Sequence, residues 1–352
     1  MEFKELRASL AARSGRGDTE AERGEKVPSP QEEKVLIERA KTGRFTTTVA
    51  AVVLAALAVA LGVVLIGAGQ AEAAFPGKNG RIALSIDRNG NEDIYTVNPD
   101  GTKERRLTTD PDDERNPDYS PGGKRIVFND VRQFGSGSSI QFDTEIFTVS
   151  ADGTGARQLT NSPGLDGSFR PVFSPNGKKI AFIGDRGDDF DVFVMSADGT
   201  GERKVIDADA FSVAFSPDGK KLAYTSFENG SNADVFSVNL DGTGKTRLTT
   251  DPDFDAVADF SPGGGKIAFF STRNFLPGEI FTMNSDGSDE RPLTEGTEAS
   301  FSPNGKKIVV EVASGGIAVA NAADASGRVN IMPNSLGNEN APDWGPLPKK
   351  RR

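Results

Sequence analysis

A nine-residue phrase of the form Ser-Pro-x-Gly-Lys-Lys-Ile-Ala-Phe recurs along this chain and alternates with a second phrase, Asp-Gly-Thr or Asp-Gly-Ser. The first phrase begins at Ser174, Ser216, Ser261 and Ser302, and in altered form at Ser120. The second begins at Asp100, Asp152, Asp198, Asp241 and Asp286, in steps of 52, 46, 43 and 45 residues. A period of this length, with two turn signals in each copy, predicts stacked copies of one small β unit.

One copy, residues 170–206, shows what the unit contains. Apolar runs at 171–173, 179–183, 192–195 and 203–206 predict four short strands. In the Ser-Pro-Asn-Gly turn between the first two strands, proline presets φ, while asparagine and glycine tolerate the left-handed conformation. The unit is therefore predicted to be a four-stranded antiparallel meander, and the Asp and Asn residues of its turns are interpreted as turn formers rather than ligands.

The two ends of the repeat region complement each other. The first copy starts at Phe75 without an inner strand, and residues 340–346 match residues 115–121 of the second copy. One aromatic residue then falls at the same place in six inner strands, at Tyr119, Phe173, Phe215, Phe260, Phe301 and Trp344. A C-terminal strand that completes the first blade removes an open sheet edge. The predicted fold is all-β: a six-bladed β-propeller of four-stranded antiparallel blades, closed by a C-terminal inner strand and preceded by one transmembrane or signal helix.

The two phrases resemble the WD40-like (PD40) repeats of the TolB family. The resemblance is carried by residues 174–182, 216–224, 100–108, 152–160 and 241–249, and it extends over about residues 75–346. It implies a six-bladed propeller exported across a bacterial inner membrane. Proteins similar to TolB also carry an N-terminal α/β domain and a segment that contacts partners, and neither has a counterpart here. The resemblance therefore indicates the broad repeat family rather than a Tol–Pal role.

Three further segments surround or precede the propeller, which is assigned to residues 71–348. Residues 1–45 are rich in charge and are predicted to be a disordered cytoplasmic segment. Residues 46–70 contain no charged side chain and are long enough to cross a bilayer as a helix. Lys41 and Arg44 precede this segment, which places the N-terminus in the cytoplasm by the positive-inside rule. Residues 349–352 are a basic tail.

The apolar segment has two possible fates. Ala71-Glu72-Ala73 resembles a signal-peptidase site, so cleavage near Ala73 would give a secreted or periplasmic protein. The apolar run is longer than the ~7–15 residues of a signal peptide, which favours an uncleaved single-pass anchor in the cell membrane. In both cases the propeller is predicted to lie outside the cytoplasm.

The composition excludes several classes of function. Cysteine and histidine are both absent, so the chain cannot build a thiolate nucleophile, a Ser-His-Asp triad or a His-ligated zinc site. The formal net charge is −10, which opposes binding of nucleic-acid phosphates. We therefore predict a protein that is not an enzyme, has no cofactor and does not bind nucleic acid.

The loops are predicted to separate charge between the two ends of the propeller. We define the loop face as the end formed by the loops between second and third strands and by the connections between blades. The turn face is the end formed by the Ser-Pro turns, where Lys178, Lys220 and Lys306 lie. An acidic loop face would attract a cationic partner. Its predicted partner-binding residues are Asp112, Asp113, Glu114, Asp188, Asp189, Asp251, Asp253 and Asp255.

A calcium site is considered at one hairpin loop. Asp87, Asn89, Asn91 and Asp93 alternate as they do at the start of an EF-hand loop. No bidentate glutamate follows at the required spacing, and a strand is predicted to begin at Asp93. An ordinary hairpin loop is therefore favoured over a metal site.

The predicted function is binding or scaffolding. The partner would be a protein or a cell-envelope component, engaged through the acidic loop face and the insertion at residues 130–143. Two alternatives stay open: a polysaccharide-active enzyme using carboxylates in the propeller channel, and a membrane-anchored sensor coupled to the N-terminal cytoplasmic segment. Buried, closely paired carboxylates at the channel mouth would favour the enzyme, and the oligomeric state is not predicted.

Overall fold

The computed structural model describes residues 72–73, 76–88, 90–134, 141–162, 167–186, 190–228, 232–274, 278–312, 315–333 and 338–348. Their regular structure consists of strands, which form six sheets. Within these ranges there is no helix of the length and apolarity needed to span a bilayer. The predicted segments 1–45, 46–70 and 349–352 lie outside the described residues.

Each sheet contains one blade of four antiparallel strands, and the sheet of blade 5 has β1 as a fifth strand, so the predicted six-bladed propeller is confirmed. Blade 1 combines the C-terminal strand with the first repeat, and blades 2 and 3 follow the chain. A short strand, β1 (Glu72–Ala73), precedes these blades in sequence. The strands of blades 1 to 3 that follow it are β2 (Asn79–Asp87), β3 (Glu92–Val97), β4 (Arg105–Arg106), β5 (Asp113–Tyr119), β6 (Arg125–Phe134), β7 (Gln141–Ser150), β8 (Arg157–Gln158), β9 (Ser168–Phe173), β10 (Lys179–Asp185), β11 (Phe190–Ser196) and β12 (Arg203–Ile206).

Blades 4, 5 and 6 repeat the same order. Their strands, followed by the closing strand of blade 1, are β13 (Ala210–Phe215), β14 (Lys221–Ser226), β15 (Asp234–Asn239), β16 (Thr246–Arg247), β17 (Asp255–Phe260), β18 (Lys266–Ser271), β19 (Glu279–Asn284), β20 (Arg291–Glu295), β21 (Ala299–Phe301), β22 (Lys307–Glu311), β23 (Gly316–Asn321), β24 (Val329–Pro333) and β25 (Asn338–Pro346). Blade 2 differs in its longer second and third strands, which extend toward residues 135–140, outside the described residues.

The ring closes as predicted. β25 pairs antiparallel with β2, with Trp344 opposite Ile82 and Asp343 opposite Ala83. The six inner-strand aromatic residues are all buried. The C-terminal strand is therefore the inner strand of the first blade, which gives that blade four strands like the others.

The inner strands of neighbouring blades are joined by hydrogen bonds, in which a side chain of one blade accepts from a backbone N–H of the next. An inner strand has its outer neighbour on one side only, and a buried N–H without an acceptor costs about 1–3 kcal/mol. The residue before the inner-strand aromatic supplies the acceptor, and we call this contact the amide staple. The staples are Tyr119 N to Asp343 Oδ2 (2.7 Å), Phe173 N to Asp118 Oδ2 (2.6 Å), Phe301 N to Asp259 Oδ2 (2.7 Å) and Trp344 N to Ser300 Oγ (3.3 Å).

Two junctions lack an acceptor at this position. Blades 3 and 4 carry Val172 and Ala214 there, and neither side chain can accept a hydrogen bond. Between blades 3 and 4, Val172 and Phe215 belong to one apolar core cluster. Between blades 4 and 5, the backbone N–H of Val257 donates instead to Thr225 Oγ1 at 2.8 Å. Hydrogen bonds thus join the inner strands at most junctions, and apolar packing joins them between blades 3 and 4.

Five inner strands have a shift in register, and in three of them a residue with positive φ lies at the shift. Asn116, Arg170 and Ala341 have φ values of 60°, 52° and 51°, and each precedes a proline. The strand register shifts at or beside each of these residues. Bulges re-aim a side chain, and this is how Arg170 comes to lie over the Phe211 ring of the next blade, at 4.1 Å from the ring centroid.

The cores between blades rest on repeated aromatic pairs between the second and third strands. Phe182 and Phe193 are direct cross-strand partners with ring centroids 5.6 Å apart. Tyr224 with Phe236 and Phe269 with Phe281 repeat the pair at 5.5 Å. Such pairs contribute about 0.5–1.5 kcal/mol beyond their buried area. The third-strand aromatic of each repeat is therefore a packing residue.

The Asp-Gly-Thr phrases form turns, as predicted. In the turn at Asp198, the carboxylate Oδ1 accepts hydrogen bonds from the backbone N–H and the hydroxyl of Thr200, at 3.0 and 2.7 Å. Gly199 has φ of 85°, and a Cβ there would lie 2.7 Å from the carbonyl oxygen of Leu159 in the preceding blade. The glycine is therefore required by both the turn and the approach of the neighbouring blade.

β1 is an additional strand that the repeat pattern did not predict. It pairs in parallel with β17, with Glu72 opposite Asp259 and Ala73 opposite Phe260. It also lies near the inner strands of blades 3, 4 and 6. These neighbours place β1 in the channel, the space enclosed by the six inner strands. Gly77 then donates its backbone N–H to the carbonyl of Pro303 on the turn face.

The amide staple predicts the effect of changing Asp118. In Asp118→Ala the N–H of Phe173 loses its acceptor, and we expect the free energy of unfolding to fall by about 1–3 kcal/mol. In Asp118→Asn an amide oxygen can still accept. Burial, with the nearby Asp343, raises the pKa of Asp118 well above its ordinary value, so loss of the charge should cost little. Urea unfolding followed by Trp344 fluorescence measures both. Equal losses in the two variants would contradict the staple.

Candidate functional site

One of the predicted blade 2 acids, Asp112, lies close to Asp110 and Asp130 at the loop face, at the junction with blade 1. Carboxylate oxygens of Asp110, Asp112 and Asp130 all lie within 4.8 Å of one another. Arg132 lies against them, with its Nε 2.9 Å from Asp130 Oδ1 and 3.7 Å from Asp112 Oδ2. We call these three carboxylates the blade 2 acidic cluster. Its oxygen ligands suit a hard divalent cation, but Arg132 already supplies a positive charge there.

Glu114 is buried behind this cluster. Its side chain is 2% exposed, and its Oε2 accepts a hydrogen bond from the hydroxyl of Thr108 at 3.1 Å. Burial raises the pKa of Glu114 to about 9, against the opposing effect of the Thr108 bond, and Asp93 and Asp130 raise it further. Glu114 therefore belongs to the support of the loop face and does not form part of its exposed surface.

Asp113 and Asp112 are the half-buried acids of this group. Asp113 accepts the backbone N–H of Glu92 at 3.0 Å and pairs with Arg115 at 3.0 Å. Burial raises the pKa of Asp112, and Asp110 adds to the rise. The carboxylate of Asp113 is thus held by its neighbours, and that of Asp112 is partly open to solvent beside Arg132.

The acids of blade 5 have a similar sequence but a different balance of charge. Asp255 is fully buried and pairs with Arg273 at 2.8 Å, and Asp251 lies 3.7 Å from the same guanidinium. Asp253 is exposed and its N–H is bonded to Asp251 Oδ1. Ser271 stands where blade 2 has Asp130. Blade 5 therefore presents less free negative charge than blade 2.

Two of the predicted partner-binding residues, Asp188 and Asp189, lie outside the described residues. Of the remaining six, Asp112, Asp113, Asp251 and Asp253 are exposed or half-buried, while Glu114 and Asp255 are buried. The acids of blade 2 and the acids of blade 5 thus form two separate groups on the loop face.

The calcium candidates do not converge on one point. Asp87 Oδ1 accepts the N–H of Gly90 at 3.0 Å, which is a turn contact. The Asn91 amide donates to the carbonyl of Asp110 at 3.0 Å, and Asp93 pairs with Arg106 at 2.7 Å. Asn89 lies outside the described residues. These contacts agree with the hairpin interpretation.

The turn face carries both signs of charge. The Ser-Pro turns do place Lys178, Lys220 and Lys306 on the surface of this end. Each Asp-Gly-Thr turn, however, lies against a Ser-Pro turn, as the bond from Ala197 N to the carbonyl of Lys178 shows. The turn aspartates therefore accompany the lysines, so the predicted basic face is mixed.

The loop face also contains phenylalanines that the charge analysis did not select. Phe211, Phe227 and Phe254 form a mutual cluster with ring centroids 6.0–6.4 Å apart, at the loop ends of blades 4 and 5. In blade 3, Phe169 and Phe190 are in edge contact at 5.8 Å, and Phe190 is 40% exposed. We call these five side chains the phenylalanine group. Phe169, Phe211 and Phe254 also pack against core clusters of buried residues.

A buried carboxylate pair lies in blade 6. Glu311 ends β22, and its backbone N–H bonds to the carbonyl of Glu298, so the two residues are cross-strand neighbours. Burial raises the pKa of Glu311 well above its ordinary value, and Glu298 adds to the rise. Both carboxylates also act on the buried Arg170 of blade 3. The pair and this arginine were not selected from the sequence, because the bulge that places Arg170 has no local signature.

The comparisons with known proteins agree with this architecture. Residues 200–348 match the family described as TolB beta propeller domain. A protein of Agrobacterium fabrum is 32% identical over 151 residues, 38% of this chain and 47% of that protein. A TolB homolog of Chlorobium luteolum is 30% identical over 139 residues, 30% of this chain and 31% of that protein. The chain thus spans less than half the length of the curated relatives it matches.

A solved structure extends the likeness over the whole propeller. The crystal structure of TolB from Acinetobacter baumannii superposes with a TM-score of 0.66 at 22% identity, and it covers 77% of this chain and 68% of that one. At this identity the match shows the fold. Together with the family match, it makes this propeller TolB-like.

Glu114 predicts a pH dependence of stability. Its pKa is near 9 in the folded chain and near 4.5 when unfolded, so the unfolded chain releases this proton more readily. The stabilisation is therefore complete below about pH 4.5 and is lost as pH rises toward 9. Glu114→Gln should flatten the loss between pH 5 and 9, measured as urea midpoints.

The matched control for this experiment is Asp113→Asn, which removes a half-buried negative charge from the adjacent residue. If Glu114→Gln and Asp113→Asn change the pH profile equally, the burial of Glu114 is not the cause.

Proposed function

We propose that this TolB-like propeller is a non-enzymatic docking module that binds a protein or cell-envelope component through its loop face. The observation that carries the proposal is the division of that face into two chemically different parts. The phenylalanine group lies over blades 3 to 5, and the blade 2 acidic cluster lies beside it at the junction of blades 1 and 2.

The aromatic part provides area for binding. Within the phenylalanine group, Phe190 is exposed, while Phe169, Phe211, Phe227 and Phe254 are half-buried. Exposed apolar side chains mark interaction sites when they are grouped, and aromatic residues concentrate binding energy at interfaces. Phe190 is 40% exposed, and Phe142 on the long hairpin of blade 2 is 56% exposed. Phe142 belongs to blade 2 and Phe190 to the neighbouring blade 3, and both lie on the loop face. Phe142, near the start of β7, thus adds to the aromatic surface.

The acidic part provides orientation and selectivity. Asp112 and Asp130 pair with Arg132, and Asp110 lies within 4.8 Å of both carboxylates, so three acids face one arginine in the blade 2 acidic cluster. A cationic side chain of a partner would be attracted to this excess. The partner that fits both parts is a segment in which basic and apolar side chains alternate. We further propose that the propeller acts outside the cytoplasm, tethered by the apolar residues 46–70.

One observation favours a second candidate, the polysaccharide-active enzyme. Glu298 and Glu311 are buried, adjacent and electrostatically linked, as acid–base pairs of carboxylates are. Arg170 counters their charge across the channel. Release of reducing ends from purified cell-envelope polysaccharides, abolished in Glu311→Gln, would favour the enzyme. Docking requires no such turnover and would survive that substitution.

The docking proposal is tested first by locating the partner. A photo-crosslinking residue in place of Phe190 in the full chain, in its native cell, should capture a partner. The same residue in place of Lys178, on the turn face of the same blade, is the control and should not. Equal capture from both faces, or from neither, would overturn the proposal.

The captured partner then provides a quantitative test with purified proteins. Phe190→Ser should weaken binding about tenfold, as loss of an aromatic anchor does. Asp112→Asn should weaken binding more at low salt than at high salt, because salt screens the attraction. Asp286→Asn, on the turn face, is the charge-matched control. Unchanged affinity in the first two variants would contradict the assignment of the loop face.

A further inference from the structure

The channel contains a sheet edge that differs from the others. In four blades the amide of the inner-strand aromatic is held by a side chain of the preceding blade. Blade 5 follows Ala214, which offers no acceptor. The amide edge of β17 near Phe260 therefore needs another source of hydrogen bonds, since a buried N–H is costly without one.

β1 lies on this edge. Its two residues pair with Asp259 and Phe260, the last two residues of β17. The main chain of β1 thus lies beside the amide edge of β17, where other blades have a side chain that accepts the amide hydrogen bond. The parallel direction of the pairing, followed by the contact of Gly77 with Pro303, carries the chain out at the turn face.

We propose that the inner edge of β17 is a binding site for an extended peptide main chain, and that residues 72–73 of this chain occupy it. The mode is strand addition, in which backbone hydrogen bonds supply affinity. The site is separate from the loop face and does not depend on the proposed docking function.

Ala214 leaves the edge of β17 without a side-chain acceptor, as Val172 leaves the edge of β13, and β1 pairs with the edge of β17. An aspartate at the equivalent place would bond the Phe260 amide, as Asp118 bonds the Phe173 amide at 2.6 Å. It would then compete with β1 for the same donor. Ala214→Asp should therefore expel β1. Val172→Asp adds the same carboxylate one blade earlier, opposite Phe215, and should leave β1 in place.

The absence of cysteine makes the test direct, because each introduced thiol is the sole one in the full chain. A cysteine in place of Ala73 should react with a bulky maleimide at least tenfold more slowly than one in place of the exposed Lys78. Adding Ala214→Asp should raise the rate at position 73 at least tenfold, and adding Val172→Asp should not. Equal rates at positions 73 and 78, or continued protection with Ala214→Asp, would overturn the proposal.

A peptide in trans separates the site from its resident strand. A fluorescent peptide with the sequence of residues 70–76 should bind the full chain carrying Ala73→Pro, in which proline weakens β1 pairing. It should bind the unmodified chain at least tenfold more weakly, and the Ala73→Pro, Ala214→Asp double variant should not bind it. Circular dichroism checks that each variant is folded. Failure of the peptide to bind folded Ala73→Pro would also overturn the proposal.

Discussion

The architecture depends on how a propeller satisfies the amide groups of its inner strands. Each inner strand has one edge that faces the channel, and hydrogen bonding within the blade cannot reach it. Asp343, Asp118 and Asp259 meet this requirement with a carboxylate that also crosses to the next blade. One side chain therefore both removes an unpaired donor and sets the distance between two sheets. The blades without such a side chain are joined by apolar packing or accept an added strand.

Many acids among the described residues already have partners within the protein. Asp255 forms an ion pair with Arg273, and Asp93 forms one with Arg106. Turn aspartates such as Asp198 accept hydrogen bonds from the residue two positions later. What distinguishes the blade 2 acidic cluster is an additional carboxylate, Asp130, where blade 5 has Ser271. Surface chemistry in a repeat fold thus arises from single departures between copies, on a frame that the copies share.

Local chemistry allowed much of the fold to be predicted. The Ser-Pro-x-Gly and Asp-Gly-Thr phrases encode turns through φ preferences of their own residues, and the match of residues 340–346 with 115–121 predicted ring closure. The site was less accessible, because its members are defined by neighbours from other blades. The carboxylates of Glu298 and Glu311 become a pair only through β21–β22 register, and Arg170 enters the channel only through a bulge. Ala214 gains meaning only when blade 5 is seen to need an acceptor.

The closing strand has a consequence for the order in which the molecule can be completed. β2 begins near residue 79, and its inner neighbour β25 lies at the opposite end of the chain. Whether the chain emerges from a ribosome or from a translocation pore, its first blade stays incomplete until its last residues arrive. Pairing over such a sequence distance is slow, and the unfinished edge of β2 is exposed to other chains in the meantime. The N-terminal blade is thus made first and finished last, and a chain that lacks residues 338–346 would have no inner strand in blade 1.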